Sequence, residues 1–457
     1  MKKETGRLNR RDALKLAGIG GAAALIAPAG LHASATGPKK KPSKKSPLRI
    51  VIVGGGMAGT TLAYRLRRAI TWPDITVFEP QRTSAWYQPG LTMLGTGSWG
   101  EKALEFSRRD FIPDGVRWVE SPVVSIDAEH GSVKDAEGKQ TPYDYLVIAS
   151  GAVLDYGAVE GLSGEIRSLQ MLEKRAAWMG DPSIGSIYYL HGAAQLHEQF
   201  NTLIQKALEL QKGKLTVLFT QDSVAVKSPG AAKSALFSLV ETLNRAGVRH
   251  KVDLVVTSGD GRLSASDEYD AMYRKMLAGE QVAFEKKRLT KIDAAAGTAG
   301  FDDGSVRKYD YIHVTPPMRA DRLFERDGLT NGNGWIDVVE STLQHKKFGN
   351  VFAVGDAAGI SALKTGAAIV EQVKTVVDTI RAIDEGKKPT ADYRGYGCDT
   401  VLCPKEKSAL FEAYDRRGKP TAVLSFMNPL KCHGFYWYLN EKVIKNYVLY
   451  GVMRGWA

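Results

Sequence analysis

The chain has 457 residues, 44% of them hydrophobic and 25% charged, and it contains only three cysteines. That length exceeds one compact core and fits roughly two to four domains or one large intertwined fold, while the composition excludes disordered and fibrous classes. An odd cysteine count excludes a disulfide framework as what holds the fold together. The formal charge of +12 is concentrated: residues 1–47 hold eleven Lys and Arg against Glu4 and Asp12, and the rest of the chain is nearly balanced. A body this close to neutral carries no phosphate-backbone footprint, which argues against nucleic acid as a partner.

The amino terminus reads as an address. Arg10-Arg11, then Leu14-Lys15, a Gly/Ala-rich apolar run and Ala33-Ser34-Ala35 follow the order of a twin-arginine export signal with an A-x-A cleavage site. The apolar run is too short to span a bilayer. A basic amphipathic helix is the competing reading. Residues 1–35 are thus expected to direct the chain to the periplasm, with the mature protein starting near Thr36. Twin-arginine export carries folded cargo, which suits a protein that takes up its cofactor before export. Residues 36–47, TGPKKKPSKKSP, form a basic linker, solvated or lying on an anionic membrane surface.

From Leu48 the sequence LRIVIVGGGMAGTTLAYRLRRA is a β-branched run, a glycine turn and a helical pattern. Gly54, Gly56 and Gly59 fit G-x-G-x-x-G. The first permits the tight turn, the second admits a pyrophosphate against the backbone, and the third lets helix and strand pack closely. Twenty residues on, DITVFEP ends at Glu79, placed to accept hydrogen bonds from an unphosphorylated ribose. FAD and NAD both satisfy this pattern.

Two later segments decide between them. YDYLVIASGA ends in Ala149-Ser150-Gly151, and FGNVFAVGDAAG carries Gly355-Asp356. They resemble the second and third FAD motifs of the two-dinucleotide-binding flavoproteins, where the Asp meets the ribityl chain; Val123 sits where that family holds the adenine with main chain. The alternating β-run and helix pattern gives an α/β fold class with two Rossmann-like dinucleotide-binding domains. The FAD domain is discontinuous, 48–160 and 311–385. The second domain, 161–310, reads SIYYLHGAAQLHEQF at the expected turn, where Gly192 is a single glycine, so no nicotinamide cofactor is expected. Residues 386–457 form a carboxyl-terminal redox and membrane-side segment.

The segments WYQPGLTMLGTG, LFTQDSVAVKSPGAAKS, HVTPPM, TLQHKKFGNVFAVGDAAG and KTGAAIVEQ resemble sulfide:quinone oxidoreductases, in order from Leu48 to the carboxyl terminus. The resemblance implies an FAD-dependent oxidoreductase that takes electrons from sulfide or another reduced sulfur compound and passes them to quinone. Lys364 matches a family lysine beside the flavin, where its charge would stabilise the anionic reduced ring; a solvated helix-start lysine is the alternative. The segment CHGFYWYLNEKVIKNYVLYGVMRGWA interleaves aromatics with basic residues and suits one-face burial in the headgroup layer of a membrane, or a plain packed helix pair.

The chain departs from the family at its redox cysteines. The family's K-C-A-G-A-P cysteine is Ser228 here, a poor nucleophile that forms no S–S bond. The second family cysteine falls at Asp399 in an ungapped match, with Cys398 one residue before it. Two accounts follow. Cys398 is the surviving sulfur-binding thiol with Cys403 as its resolving partner, or the two form a structural disulfide in a protein that has changed substrate or lost catalysis. Cys432-His433 reads as a buried thiol in an aromatic cluster. The related flavoprotein subunits of flavocytochrome c sulfide dehydrogenase, which deliver electrons to a c-type cytochrome, attach FAD through a cysteine after an aromatic pair. Here Gln88-Pro89 follow Trp86-Tyr87, so noncovalent FAD is expected. No metal site is expected.

Overall fold

The structure is a computed structural model and describes residues 46–167 and 176–456. The export signal and all but the end of the basic linker lie outside the described residues. In chain order the elements that shape the site are β1 (Leu48–Val53), α1 (Met57–Ala69), β2 (Pro73–Phe78), β3 (Arg117–Val119) and β4 (Tyr145–Ile148). The middle of the chain supplies β5 (Ile184–Gly185), α2 (Leu190–Glu209), β6 (Leu215–Gln221), α3 (Gly230–Arg245), β7 (Val252–Ser258), α4 (Asp267–Gly279), β8 (Ala283–Lys286) and β9 (Tyr311–Thr315). The last part supplies β10 (Val351–Ala353), α5 (Gly366–Asp384), the hairpin β11 (Gly397–Leu402) and β12 (Ala409–Tyr414), and α6 (Gly434–Lys442).

Two five-stranded parallel sheets result, in the orders β10-β4-β1-β2-β3 and β5-β9-β6-β7-β8. Their central strands read as near-continuous apolar runs because helices cover both faces, as parallel sheets require. Ile50, Ile52, Leu62 and Leu66 seat α1 on the first sheet, and Phe200, Leu203, Leu236 and Leu239 seat α2 and α3 on the second. These are two Rossmann-like domains, the α/β class expected from the alternating pattern.

One boundary differs. The sequence pattern places residues from 311 on in the returning FAD domain, yet Tyr311–Thr315 is fully buried and pairs with both Ile184–Gly185 and Val217–Gln221 in the second sheet. A β-branched run buried on both faces satisfies its backbone at a sheet centre. The crossing comes after it, in a small antiparallel sheet where Val153–Asp155 pairs with Glu165–Arg167 and with Met318–Arg319. Arg319 lies 3.0 Å from Asp155 and also pairs with Glu165, which ties the two crossings together.

The carboxyl-terminal hairpin lies on α3, and α6 packs behind it through Phe411 and Tyr436, whose rings stack at 4.4 Å. The chain end returns to α1: the Arg68 guanidinium sits 3.8 Å over the Trp456 ring and donates to the carbonyls of Arg454 and Gly455.

Candidate active site

The first βα turn is shaped by its glycines. Gly54 has φ +102, and an added Cβ would lie 2.6 Å from the Ala149 carbonyl oxygen. A Cβ on Gly59 would lie 1.9 Å from the Gly54 carbonyl oxygen, so α1 can approach β1 only as glycine. Gly56 has open space where its Cβ would be and faces a cavity of about 1170 Å3. Glu79 at the end of β2 accepts from Gly55 N at 3.0 Å and from Gln81 N at 3.1 Å.

Motifs far apart in sequence converge on this cavity. Val123 lines it, and Ala149, Ser150 and Gly151 form the wall that follows β4. Ser150 Oγ is buried without a hydrogen-bond partner among the described residues, and Gly151 has φ +74 with open space beside it. Gly355 and Asp356 follow β10, with Gly355 N donating to Gln372 Oε1 at 2.7 Å. A buried orphan hydroxyl, two glycines open to the space and a carboxylate at the end of β2 fit an adenine dinucleotide laid along the ends of parallel strands.

Lys364 is 3% exposed. Its ammonium donates to the carbonyls of Asp356 (3.1 Å) and Ala358 (2.5 Å) and lies 3.8 Å over the Trp335 ring. Burial pushes its pKa down to about 8, against the pull of Asp356 and Glu340. Lys227 is a second lysine on the same wall, its ammonium on Gln88 Oε1 and its pKa lowered by burial. Asp356 is shifted the other way: burial raises it, opposed by Lys227 and Lys364.

Ser228 follows Lys227 with φ +43. Its N–H donates to the Lys364 carbonyl at 3.0 Å, and its own carbonyl accepts from Tyr188 OH and Ala231 N. Cys398, at the start of β11, opens onto the same cavity. It is the free cysteine, its thiol pushed up by burial and then by Asp399, with Tyr396 opposing.

The expected pairing of Cys398 with Cys403 is corrected, both as a redox couple and as a disulfide. Cys403 is bonded to Cys432. Five residues along a strand span about 16 Å, far beyond disulfide reach, so Cys398 and Cys403 sit at opposite ends of β11. Cys403 instead receives its partner from the strand-like segment that pairs His433 with Ala409. Cys403 is buried away from the cavity and is withdrawn as a catalytic candidate, and Cys432 is a bridge rather than a free thiol.

Sequence reasoning also missed Arg108. It is 4% exposed, lines the cavity, donates to the Gly55 carbonyl and lies 3.7 Å from Glu79. Nothing in the polar stretch FSRRDF marks which arginine turns inward.

Known proteins match this arrangement. Residues 48–180 match the pyridine nucleotide-disulphide oxidoreductase family. The mitochondrial sulfide:quinone oxidoreductase of Dictyostelium discoideum is 30% identical over 82% of this chain and 79% of its own. The chain belongs to the sulfide:quinone oxidoreductase family. The mouse mitochondrial member is 27% identical over 84% of this chain and 81% of its own. The solved sulfide:quinone oxidoreductase of Aquifex aeolicus superposes with a TM-score of 0.66 at 18% identity, covering 89% of this chain and 92% of that one. A chain of the Tetrahymena thermophila mitochondrial ATP synthase shares the fold, with a TM-score of 0.71 at 17% identity over 91% of this chain and 99% of that one. As a family member this chain is an FAD-dependent oxidoreductase.

Proposed function

We propose that this chain oxidises sulfide or another reduced sulfur compound at Cys398 and passes the electrons through noncovalently held FAD to quinone. One observation carries the reading: a single cavity is lined by the dinucleotide motifs, by Ser228 and Cys398, and by Asn440, Ile444 and Tyr447 at the carboxyl-terminal helices. When bound, FAD supplies a two-electron acceptor between sulfur and quinone. Gly54, Gly56 and Glu79 would hold its pyrophosphate and ribose, with Gly59 fixing the approach of α1 and Arg108 available to add positive charge beside Glu79. Val123, Ala149, Ser150 and Gly151 would line the adenosine-to-ribityl side, and Gly355 and Asp356 would meet the ribityl chain. Lys364 and Lys227 supply positive charge beside the ring that becomes anionic on reduction. Gln88 and Pro89 offer no thiol for a covalent flavin link.

The quinone side is supported by the surface around α6. Phe426 (75% exposed) and Tyr438 (50%) stand out of the fold with Lys431 and Lys442 nearby in sequence, and Trp456 (69%) is exposed at the chain end beside Arg68. Amphipathic faces of this kind bury in the headgroup layer. No helix of the described residues is long and apolar enough to cross a membrane. The twin-arginine pattern of residues 1–35 and the exposed aromatics support a periplasmic protein seated on a membrane surface.

Two alternatives have an observation behind them. Ser228 in place of a thiol favours a noncatalytic flavin-binding member, and an exported relative of sulfide dehydrogenases would hand electrons to a c-type cytochrome. Anaerobic sulfide titration of the flavin-loaded protein separates them. Bleaching of the flavin band, followed by reoxidation with decylubiquinone in detergent, is the expected result. Reoxidation by cytochrome c alone would reassign the acceptor, and no bleaching at saturating sulfide would leave the noncatalytic reading.

A further inference from the structure

The wall of the cavity that carries Ser228 and Cys398 holds a third group the family comparison does not supply. Asp399 lies next to Cys398 in β11 and borders the same cavity. Its Oδ2 accepts from Gly230 N at 2.8 Å and its Oδ1 from its own neighbour Thr400 N at 3.0 Å. Gly230 opens α3 two residues after Ser228, and the turn between them is closed by Ala231 N donating to the Ser228 carbonyl at 3.0 Å. Asp399 therefore bridges the Ser228 turn and the Cys398 strand. A Cβ on Gly230 would stand 2.8 Å from Asp399 Oδ2 and from the Thr400 carbonyl oxygen, so the contact is a direct packing of α3 on the hairpin.

The charges around it do not balance. Asp399 is paired in register with Glu412 on β12, on the same face of the hairpin. Glu412 is fully buried and takes the one lysine nearby, Lys233 Nζ at 2.9 Å, together with Tyr273 OH at 2.8 Å and Ser264 Oγ at 2.5 Å. Asp399 has backbone N–H donors but no ion-pair partner among the described residues. Two carboxyls directly across a hairpin, with the nearby ammonium bonded to one of them, are costly to keep charged together where burial limits their hydration. The other groups facing Asp399 are Cys398 on its own strand, Tyr414 on β12, Tyr273 on α4 and Tyr188 ahead of α2, all neutral in the physiological range. Lys233 is bonded to Glu412, and Asp399 is left with backbone donors alone. Burial, with Glu412 adding to it, pushes Asp399 up to about 7, against Gly230 N–H and Lys233.

Resting on the sulfide-oxidising reading above, we propose that Asp399 is the proton acceptor of the sulfur pocket: its carboxylate takes one proton from hydrogen sulfide entering beside Ser228, leaving hydrosulfide as the nucleophile. The step breaks one S–H bond and forms one O–H bond, with no change of oxidation state, and the carboxyl returns its proton to solvent through the cavity before the next turnover. Protein and substrate then ionise in the same pH range, the condition under which a general base works best.

Asp399→Asn keeps an acceptor for Gly230 N–H and removes the titration. In stopped-flow mixing of the flavin-loaded protein with sulfide, the wild type should bleach with a rate that rises through an inflection near pH 7. The variant should be slowed about 100-fold on the acid side, with the deficit shrinking as pH rises and the substrate ionises by itself; Asp399→Glu should restore part of the rate. Dithionite reduction and decylubiquinone reoxidation should be unchanged. Infrared titration of the flavin-free protein gives an independent readout: a protonated-carboxyl band should disappear near pH 7 in the wild type and be missing from the variant. A uniform loss with the wild-type pH profile, or the same band in both proteins, overturns the role of Asp399 alone. A wild type that sulfide does not bleach overturns the functional reading together with this step.

Discussion

Removing Cys398 and removing the Cys403–Cys432 bridge should have opposite consequences, because one sulfur borders the cavity and the other two do not. Cys398→Ser should abolish sulfide-driven bleaching while photoreduction of the flavin and the melting temperature stay as they were. The double change Cys403→Ser with Cys432→Ser should leave bleaching per folded molecule intact and cost about 3–4 kcal/mol in denaturant unfolding, the loop-closure value for cysteines 29 residues apart. The reverse pattern would reinstate Cys403 in the chemistry. Lys364 gives a pH test at the same scale. Its folded pKa of about 8 lies below its ordinary 10.5, so between those values the unfolded chain binds more protons and stability rises with pH. Relative to Lys364→Met, the flavin-free wild type should gain on the order of 3 kcal/mol from pH 8 to 10.5, read as the difference between urea unfolding curves. A constant gap would mean that Lys364 is not held against its own burial cost.

The elements that matter most are α3 and the hairpin β11–β12, joined at Gly230, by Leu402 N donating to Ser234 Oγ at 2.9 Å, and by the Lys233–Glu412 pair. Gly230→Ala should therefore push helix and hairpin apart, lowering stability by about 1–3 kcal/mol and altering the pH profile of bleaching through Asp399; an unchanged melting temperature would show that the contact gives way freely. Gly59→Ala should prevent α1 from seating against β1 and give protein without flavin, measured by the 450 nm absorbance of the purified chain. The difference between these two glycines is one of legibility. Gly59 belongs to a local motif in which strand, turn and helix are consecutive, so spacing alone states its role. Gly230 gains its role from Asp399, 169 residues later, and no local pattern announces that meeting.

For the whole molecule, charge and exposed aromatics separate along the sequence. The excess of positive charge lies in residues 1–47, whereas the exposed Phe426, Phe435, Tyr438, Tyr450 and Trp456 lie toward the other end of the chain, with Trp72 apart from them. Substituting Phe426, Tyr438 and Trp456 together by Ser should weaken binding to anionic vesicles at least ~10-fold, since each large apolar side chain contributes about 1.5–3 kcal/mol on full burial. Bleaching by sulfide in detergent should persist. Vesicle binding that is unaffected by these changes yet abolished by salt would move the membrane contact to the basic linker.

The sequence by itself determined the local machinery: the turn of Gly54, Gly56 and Gly59, the carboxylate of Glu79, the Ala149–Gly151 and Gly355–Asp356 strand ends, and with them the flavoprotein class. These signals survive in one dimension because each is a short run whose backbone conformation and chemistry are set by neighbours in the chain. The tertiary structure decided which thiol is free, which arginine turns inward and which carboxyl lacks a counter-ion. It also decided that Tyr311–Thr315 closes the second sheet rather than opening the return to the first. Those outcomes depend on burial and on partners brought from far along the chain: Cys432 to Cys403, Lys233 to Glu412, Gly230 to Asp399. The energy of a buried charge or thiol is set by what surrounds it in space, and sequence spacing does not carry that information.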